Sequence, residues 1–236
     1  VFNRDAIVDA RDLFRQAATL DPDYARAYAN IALTYATEVN FFWSGNREES
    51  ISLGLEFADR ALALDNSIPQ IYLTRSILYL SQRQHQAALK AARRTIEVHP
   101  NYADGQATLA FIQSYSGKLE PALRSLARAK LINPQGTGVY LAIEGRILFL
   151  LGRYEEALRI LEQALDRNPA FDRIHLHTAA VNAELGRLDE AAWSVDEALA
   201  ISPDISLTKE RREALYLLES DIDHYIGALI KAGVPE

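Results

Sequence analysis

The chain contains no cysteine and no methionine. The first absence excludes disulfides, thiolate nucleophiles and sulfur-ligated metals together. It suits cytoplasm and periplasm alike; cytoplasm is the expectation. The second absence means that Val1 is not where translation began, and predicts that the chain is a piece of a longer protein. An excess of basic residues is missing too: 25 Lys and Arg face 32 Asp and Glu, for a net charge of −7. A nucleic-acid partner is therefore not expected, because it needs a basic stripe to neutralise phosphates. No apolar run approaches the roughly 18 to 20 residues of a membrane helix, and no signal or transit segment is visible.

Motifs that carry chemistry are also lacking. There is no Gly-rich phosphate loop, nucleophile elbow or metal signature. His85, His99 and His224 are scattered. His175 and His177 are two apart, so on a helix they point in different directions and cannot share a metal as an i, i+4 pair does. Asp221 and Asp223 read as first-turn charges that suit the helix dipole. No catalytic residue, cofactor or metal site is expected.

What the sequence has is a ruler. Pro100, Pro134, Pro169 and Pro203 are spaced by 34, 35 and 34 residues. Each closes a near-copy of one stretch, clearest at 151–169, LGRYEEALRILEQALDRNP. A period of this length marks one helix-turn-helix unit per repeat. Small residues let the two helices of a unit approach, bulky ones fill the space beside them, and proline stops the second helix.

Taken in order, the first segment carries Ala10, Phe14, Ala17 and Pro22, the second-helix positions alone, so its partner helix is expected upstream of Val1. The second unit starts near Ala25 with Tyr28, Ile31, Ala32 and Tyr35. Its small second-helix residue, Gly54, then arrives about ten residues late, which places an insertion near 40–50 that lengthens both helices. Asn46 with Glu49 reads as a helix N-cap with its partner, and Phe41, Phe42 and Trp43 form a tip. The third unit runs from Pro69, the fourth from Ala103 with Gly117 at its turn. The fifth starts at Gly138, after a PQGTG loop that absorbs one extra residue, and the sixth at Asp172. Beyond Pro203 two non-repeat helices are expected, over 206–215 and from Ser220. The second carries a stripe of Ile222, Tyr225, Ile226, Leu229 and Ile230 and closes on Lys231, Gly233 and Pro235. It reads as a cap over the last exposed face.

Five full units with these positions matched resemble the tetratricopeptide repeat family. The insertion NFFWSGNREES, the turn SQRQHQAAL, LGRYEEAL and the ending KAGVPE are in addition similar to the C-terminal repeat region of bacterial signalling proteins, where repeats follow a class III adenylate or guanylate cyclase domain or a winged-helix regulator. The resemblance implies an all-α, right-handed superhelical solenoid of antiparallel helix pairs. The array would run over 1–205, as five full repeats and one half repeat, with capping helices over 206–236. It further implies a concave groove lined by first helices. Carried onto this chain, the lining positions are Arg26, Leu33, Gln70, Leu73, Ile77, Phe111, Tyr115, Arg146, Phe149, Arg173 and Leu176. The Lys and Asn positions with which chaperone-binding members clamp a terminal carboxylate fall on residues such as Ala29, Leu33 and Leu73, which disfavours a co-chaperone.

Such a groove suits an extended or helical peptide with apolar anchors, its carboxylates read by arginine forks; alternatively several of these residues only pack against adjacent units. The Phe41-Phe42-Trp43 tip is either an interface anchor, including a homodimer contact, or folds back as core. Arg75 and Glu144 occupy positions that face the partner helix. Each must therefore reach water or be paired, because an unpaired buried charge costs several kcal/mol; the other reading is a functional polar track. The expected function is a non-catalytic scaffold that binds a protein or peptide segment within a larger signalling protein. The alternative is a module that dimerises a neighbouring catalytic or DNA-binding domain.

Overall fold

The computed structural model describes residues 4–236. The described residues form thirteen α-helices and no strand. They are α1 (Arg4–Leu20), α2 (Ala25–Asn40), α3 (Arg47–Leu64), α4 (Pro69–Ser81), α5 (His85–Val98), α6 (Ala103–Tyr115), α7 (Leu119–Ile132), α8 (Gly138–Leu150), α9 (Tyr154–Arg167), α10 (Asp172–Glu184), α11 (Leu188–Ile201), α12 (Leu207–Glu213) and α13 (Glu219–Ala232). The chain divides into two compact units, Val1–Ile112 and Gln113–Glu236.

In the first unit α2 packs against α3 and α4 against α5, with α1 against α2. The insertion shows in helix length. Helices α2 and α3 have 16 and 18 residues, against 13 and 14 in α4 and α5. The Asn46 side chain accepts from the Glu49 N–H at 3.2 Å and so caps α3. Helix α1 lies on α2 without a partner helix on its other side among the described residues. Its one buried side chain is Arg11, and Leu13 and Leu20 stay exposed.

In the second unit α8 pairs with α9 and α10 with α11. Close approach depends on small residues, as the ruler requires. A Cβ at Gly145 in α8 would stand 2.5 Å from the Leu161 Cδ2 of α9, so only glycine fits there without displacement. The turns inside the pairs use one conformation at one repeat position. Gly117, Gly152 and Gly186 have φ of 69°, 71° and 74°. The matching residue of the α4–α5 turn is Arg83, at 57°.

Helix α13 lies on α10 and reaches α8 and α11. Its buried stripe is Ile222, Tyr225, Ile226 and Leu229. Ile230, expected in that stripe, is exposed, because the helix turns it away from α10. Gly233 ends the helix in the left-handed conformation at φ 89°.

Candidate functional site

The groove positions fall into two sets. Those of the second unit are Tyr115, Arg146, Phe149, Arg173 and Leu176. The face that they form is covered by the chain's own residues 205–236. Phe149 and Leu176 have no exposed surface. The Phe149 ring stacks on His224 and meets Tyr225 edge-on at 6.3 Å. Tyr115 packs on Tyr216 at 4.8 Å, and its carbonyl accepts from the Leu217 N–H at 2.8 Å.

Charge is matched across this face. Arg173 of α10 sets its Nη1 between both Glu210 oxygens of α12, at 2.7 and 2.6 Å. Burial opposes the charge on Arg173, but Glu210, Tyr225 and Asp172 together outweigh it and hold the guanidinium protonated. Arg146 turns inward instead. It stands 3.9 Å over the Tyr115 ring and donates to Ser114 Oγ at 2.8 Å.

His177, two residues beyond His175, lies against Tyr225 with ring centroids 5.2 Å apart and 24° between planes. Its Nδ1 is 2.7 Å from the Arg173 carbonyl oxygen. Because a carbonyl only accepts, Nδ1 carries the proton and Nε2 is left as a bare acceptor. That Nε2 is fully enclosed with no hydrogen-bond partner, as is the Tyr225 hydroxyl. Burial first and Arg146 second push His177 down to about 3, so it is neutral here. His224 is also lowered by burial; its Nε2 lies 3.0 Å from the Tyr154 hydroxyl.

The first-unit set is less covered. Arg26 is exposed, while Leu33, Gln70, Ile77 and Phe111 are half-buried; Leu73 is buried, at 6% exposure. Arg26, Ala29, Asn30, Ile68 and Gln70 line a cavity of about 40 Å³ between α2 and α4. Gln70 also bonds the Tyr102 hydroxyl, which burial, with Asp104 adding to it, pushes up to about 12. Ile77 packs against the small core of Ala36, Val39, Ile51 and Leu78.

At the insertion, Phe41 and Trp43 stack at 5.0 Å, Arg47 lies 5.4 Å from the Phe42 ring centroid, and the Trp43 N–H donates to the Glu38 carbonyl at 2.9 Å. All three aromatic residues are half-buried. The two anomalous charges are paired, though not with each other. Arg75 reaches Asp59 at 3.4 Å and the Tyr79 hydroxyl at 2.7 Å, and Glu144 takes Lys130 of α7.

A model of the tetratricopeptide repeat matches residues 144–204. Over these residues the chain matches the tetratricopeptide repeat family. The TPR repeat-containing protein YpiA of Bacillus subtilis (strain 168) is 25% identical over 116 residues, which are 49% of this chain and 27% of that protein. The chain thus spans about a quarter of that relative's length. Among solved structures, TTC0263, a thermophilic TPR protein of Thermus thermophilus, aligns over 84% of this chain and 99% of its own at 21% identity and a TM-score of 0.61. The APC/C hetero-tetramer Cut9–Hcn1 aligns over 87% of this chain and 39% of that chain at 18% identity, with a TM-score of 0.73. At these identities the likeness to the structures is one of fold. Tetratricopeptide repeat proteins generally mediate protein–protein interaction, and within the described residues no helix is long and apolar enough to cross a membrane and no group of three or more His, Asp or Glu could hold a metal.

The residues that sequence reasoning does not assign to the groove are Glu210, Tyr216, His224 and Tyr225. Only Tyr225 has a signal in the sequence, as part of the apolar stripe of α13, which reads there as an end cap.

Proposed function

We propose that the chain is a non-catalytic interaction scaffold that holds a partner segment against the first-helix face of its first unit, around Arg26, Leu33, Gln70 and Ile77. The observation that carries this reading is the use made of the equivalent face in the second unit. There α8 and α10 accept an amphipathic helix, α13, through Ile222, Tyr225, Ile226 and Leu229. A face built on the same repeat positions offers the same kind of surface. The relatives are described as repeat proteins or an assembly subunit, so the link to a signalling output domain, and a cytoplasmic location, belong to this proposal and rest on the sequence resemblance alone.

The test is site-specific photocrosslinking in the host cell, with the probe at Gln70 or Ile77 and a control at exposed Glu56 on α3. Crosslinks to a defined segment of another protein at 70 and 77 but not at 56 are expected. Equal labelling at all three positions sinks the reading. The second reading, self-association, is favoured by the half-exposed Phe41–Trp43 stack. Light scattering on the chain and on Trp43→Ala separates the two: a dimer dissolved by the substitution would make the insertion an assembly surface.

A further inference from the structure

We propose that the cleft between the second helices α7 and α9 binds a small carboxylic acid with an apolar body, its carboxylate held by Arg159 and its body laid on Leu148 and Ile160. The cleft encloses about 320 Å³ and lies within the second unit. Small-molecule sites span about 300 to 1,000 Å³.

Leu123 comes to it from α7, Glu144 and Leu148 from α8, and Glu156, Arg159 and Ile160 from α9. Glu144 and Leu148 are four residues apart and so share one side of α8. Arg146 and Phe149 turn to another side, where they meet Tyr115 and His224. The cleft is therefore separate from the face that α13 covers.

A departure from the repeat opens this space. The second and fourth units place Ile31 and Leu109 at the position of Glu144, and both are buried. Glu144 instead turns its carboxylate to Lys130 of α7, where the two side chains keep 21% and 34% exposure. A polar end that stays partly wet does not plug the gap as an apolar side chain does. The floor beside it remains apolar: Leu148 is buried, and Leu123 and Ile160 are half-buried.

The charges around the cleft leave one cation over. Glu144 is matched by Lys130, and Glu156 accepts from Arg153 Nε and Nη2, both at 2.7 Å. Glu155, one turn before Arg159, is held by Arg187. The Arg159 guanidinium is exposed and forms no ion pair or hydrogen bond among the described residues; it acts on Glu156 through space alone. A guanidinium offers a carboxylate two parallel bonds and repels an ammonium. Glu144 and Glu156 oppose a second negative charge, so the cleft selects a monoanion.

The test is a titration of the isotope-labelled full chain, followed by amide NMR, with phenylacetate as probe. Saturable shifts at Glu144, Leu148 and Ile160 are expected, with binding of phenylacetamide and phenethylamine weaker by about tenfold or more. Arg159→Gln changes an exposed side chain, leaves the fold intact and should weaken phenylacetate by about tenfold. Glu144→Leu restores the apolar plug and should abolish the shifts without lowering the melting temperature; should this variant fail to fold, Arg159→Gln decides alone. Absence of a saturable shift overturns the proposal. So does an equal response to the amine or the amide, and so does undiminished binding in a folded variant. Tighter binding of a short peptide that ends in phenylalanine makes a chain end the occupant, and equally overturns it.

Discussion

The His224 imidazole lies parallel to the Phe149 ring, with centroids 4.4 Å apart and 18° between planes. A residue of the last helix thus occupies the ring face of a position expected, from the repeat resemblance, to line the groove. Because the same helix also stacks Tyr225 on His177, two histidines sit in the seam between segment and repeats.

Acid should open this seam. His177 meets Arg146 from α8, Arg173 from its own helix and Tyr225 from α13, with Glu210 of α12 beyond the arginine; His224 meets Tyr154, Glu184, Asp221 and Lys231. Both imidazoles are held below 6.5 while docked and return towards it when released, so the docked state binds fewer protons. Their contribution is complete above pH 6.5 and is lost as the pH falls below it, by up to about 1.4 kcal/mol per pH unit for His177. Asp221, raised by burial, opposes this only in the carboxylate range. Protection of 206–236, corrected for the intrinsic slowing of amide exchange with acid, is expected to fall between pH 7.5 and 5.5, and His177→Asn to flatten the change. An unaltered profile in that variant would remove His177 from the account.

Helix α1 should depend on one ion pair. Arg11 meets Glu38 at 2.6 Å, donates to Thr34 Oγ1 at 2.9 Å and covers the Tyr35 ring at 3.9 Å. Glu38→Ala strands a buried guanidinium, at about 3 to 5 kcal/mol. Limited proteolysis should then cut within 4–20 before any other helix, whereas cutting at unchanged sites and rates would show that apolar contacts suffice.

Arg83 holds φ 57° where three other turns use glycine. A side chain there costs about 1 to 2 kcal/mol, part of which glycine returns as unfolded-chain entropy. Arg83→Gly is therefore expected to stabilise the chain by about 0.5 to 1 kcal/mol in denaturant titration; a lower midpoint would mean that the arginine side chain contributes more than the strain it imposes.

Ala157 and Gly145 set the spacing of α8 and α9. Ala157→Leu should overpack the pair at a cost of about 1 to 3 kcal/mol, and Gly145→Ala should push on Leu161 in the same sense. Thermal melts of both, compared with an exposed control such as Glu162→Leu, test the repeat register.

The helix pairs were legible because proline, glycine and alanine recur where sterics permit little else: Gly117 could be read as a turn from its place in the repeat. The N-cap at Asn46 was legible for the same local reason. The occupant of the α8–α10 face was not. An apolar stripe over Ile222 to Leu229 reports that a helix will be buried, yet carries no address for the surface that buries it. Arg173 and Glu210 are 37 residues apart, on helices with no periodic relation, so their pairing follows from tertiary contact alone. Arg75 and Glu144 lay between these cases: the need for partners was readable from burial, whereas Asp59 and Lys130 were not.

The Leu207 N–H donates to the Pro235 carbonyl at 2.7 Å. The bond joins the beginning of the C-terminal segment to its far end, so 207–235 is stitched into a loop. Ordinary terminal helices fray from the loose end inward, one turn at a time. Here the last residues are clasped beside α12, and unpeeling from the tip must first undo that clasp. The segment should therefore leave its seat all at once or not at all, giving release the sharpness of a latch.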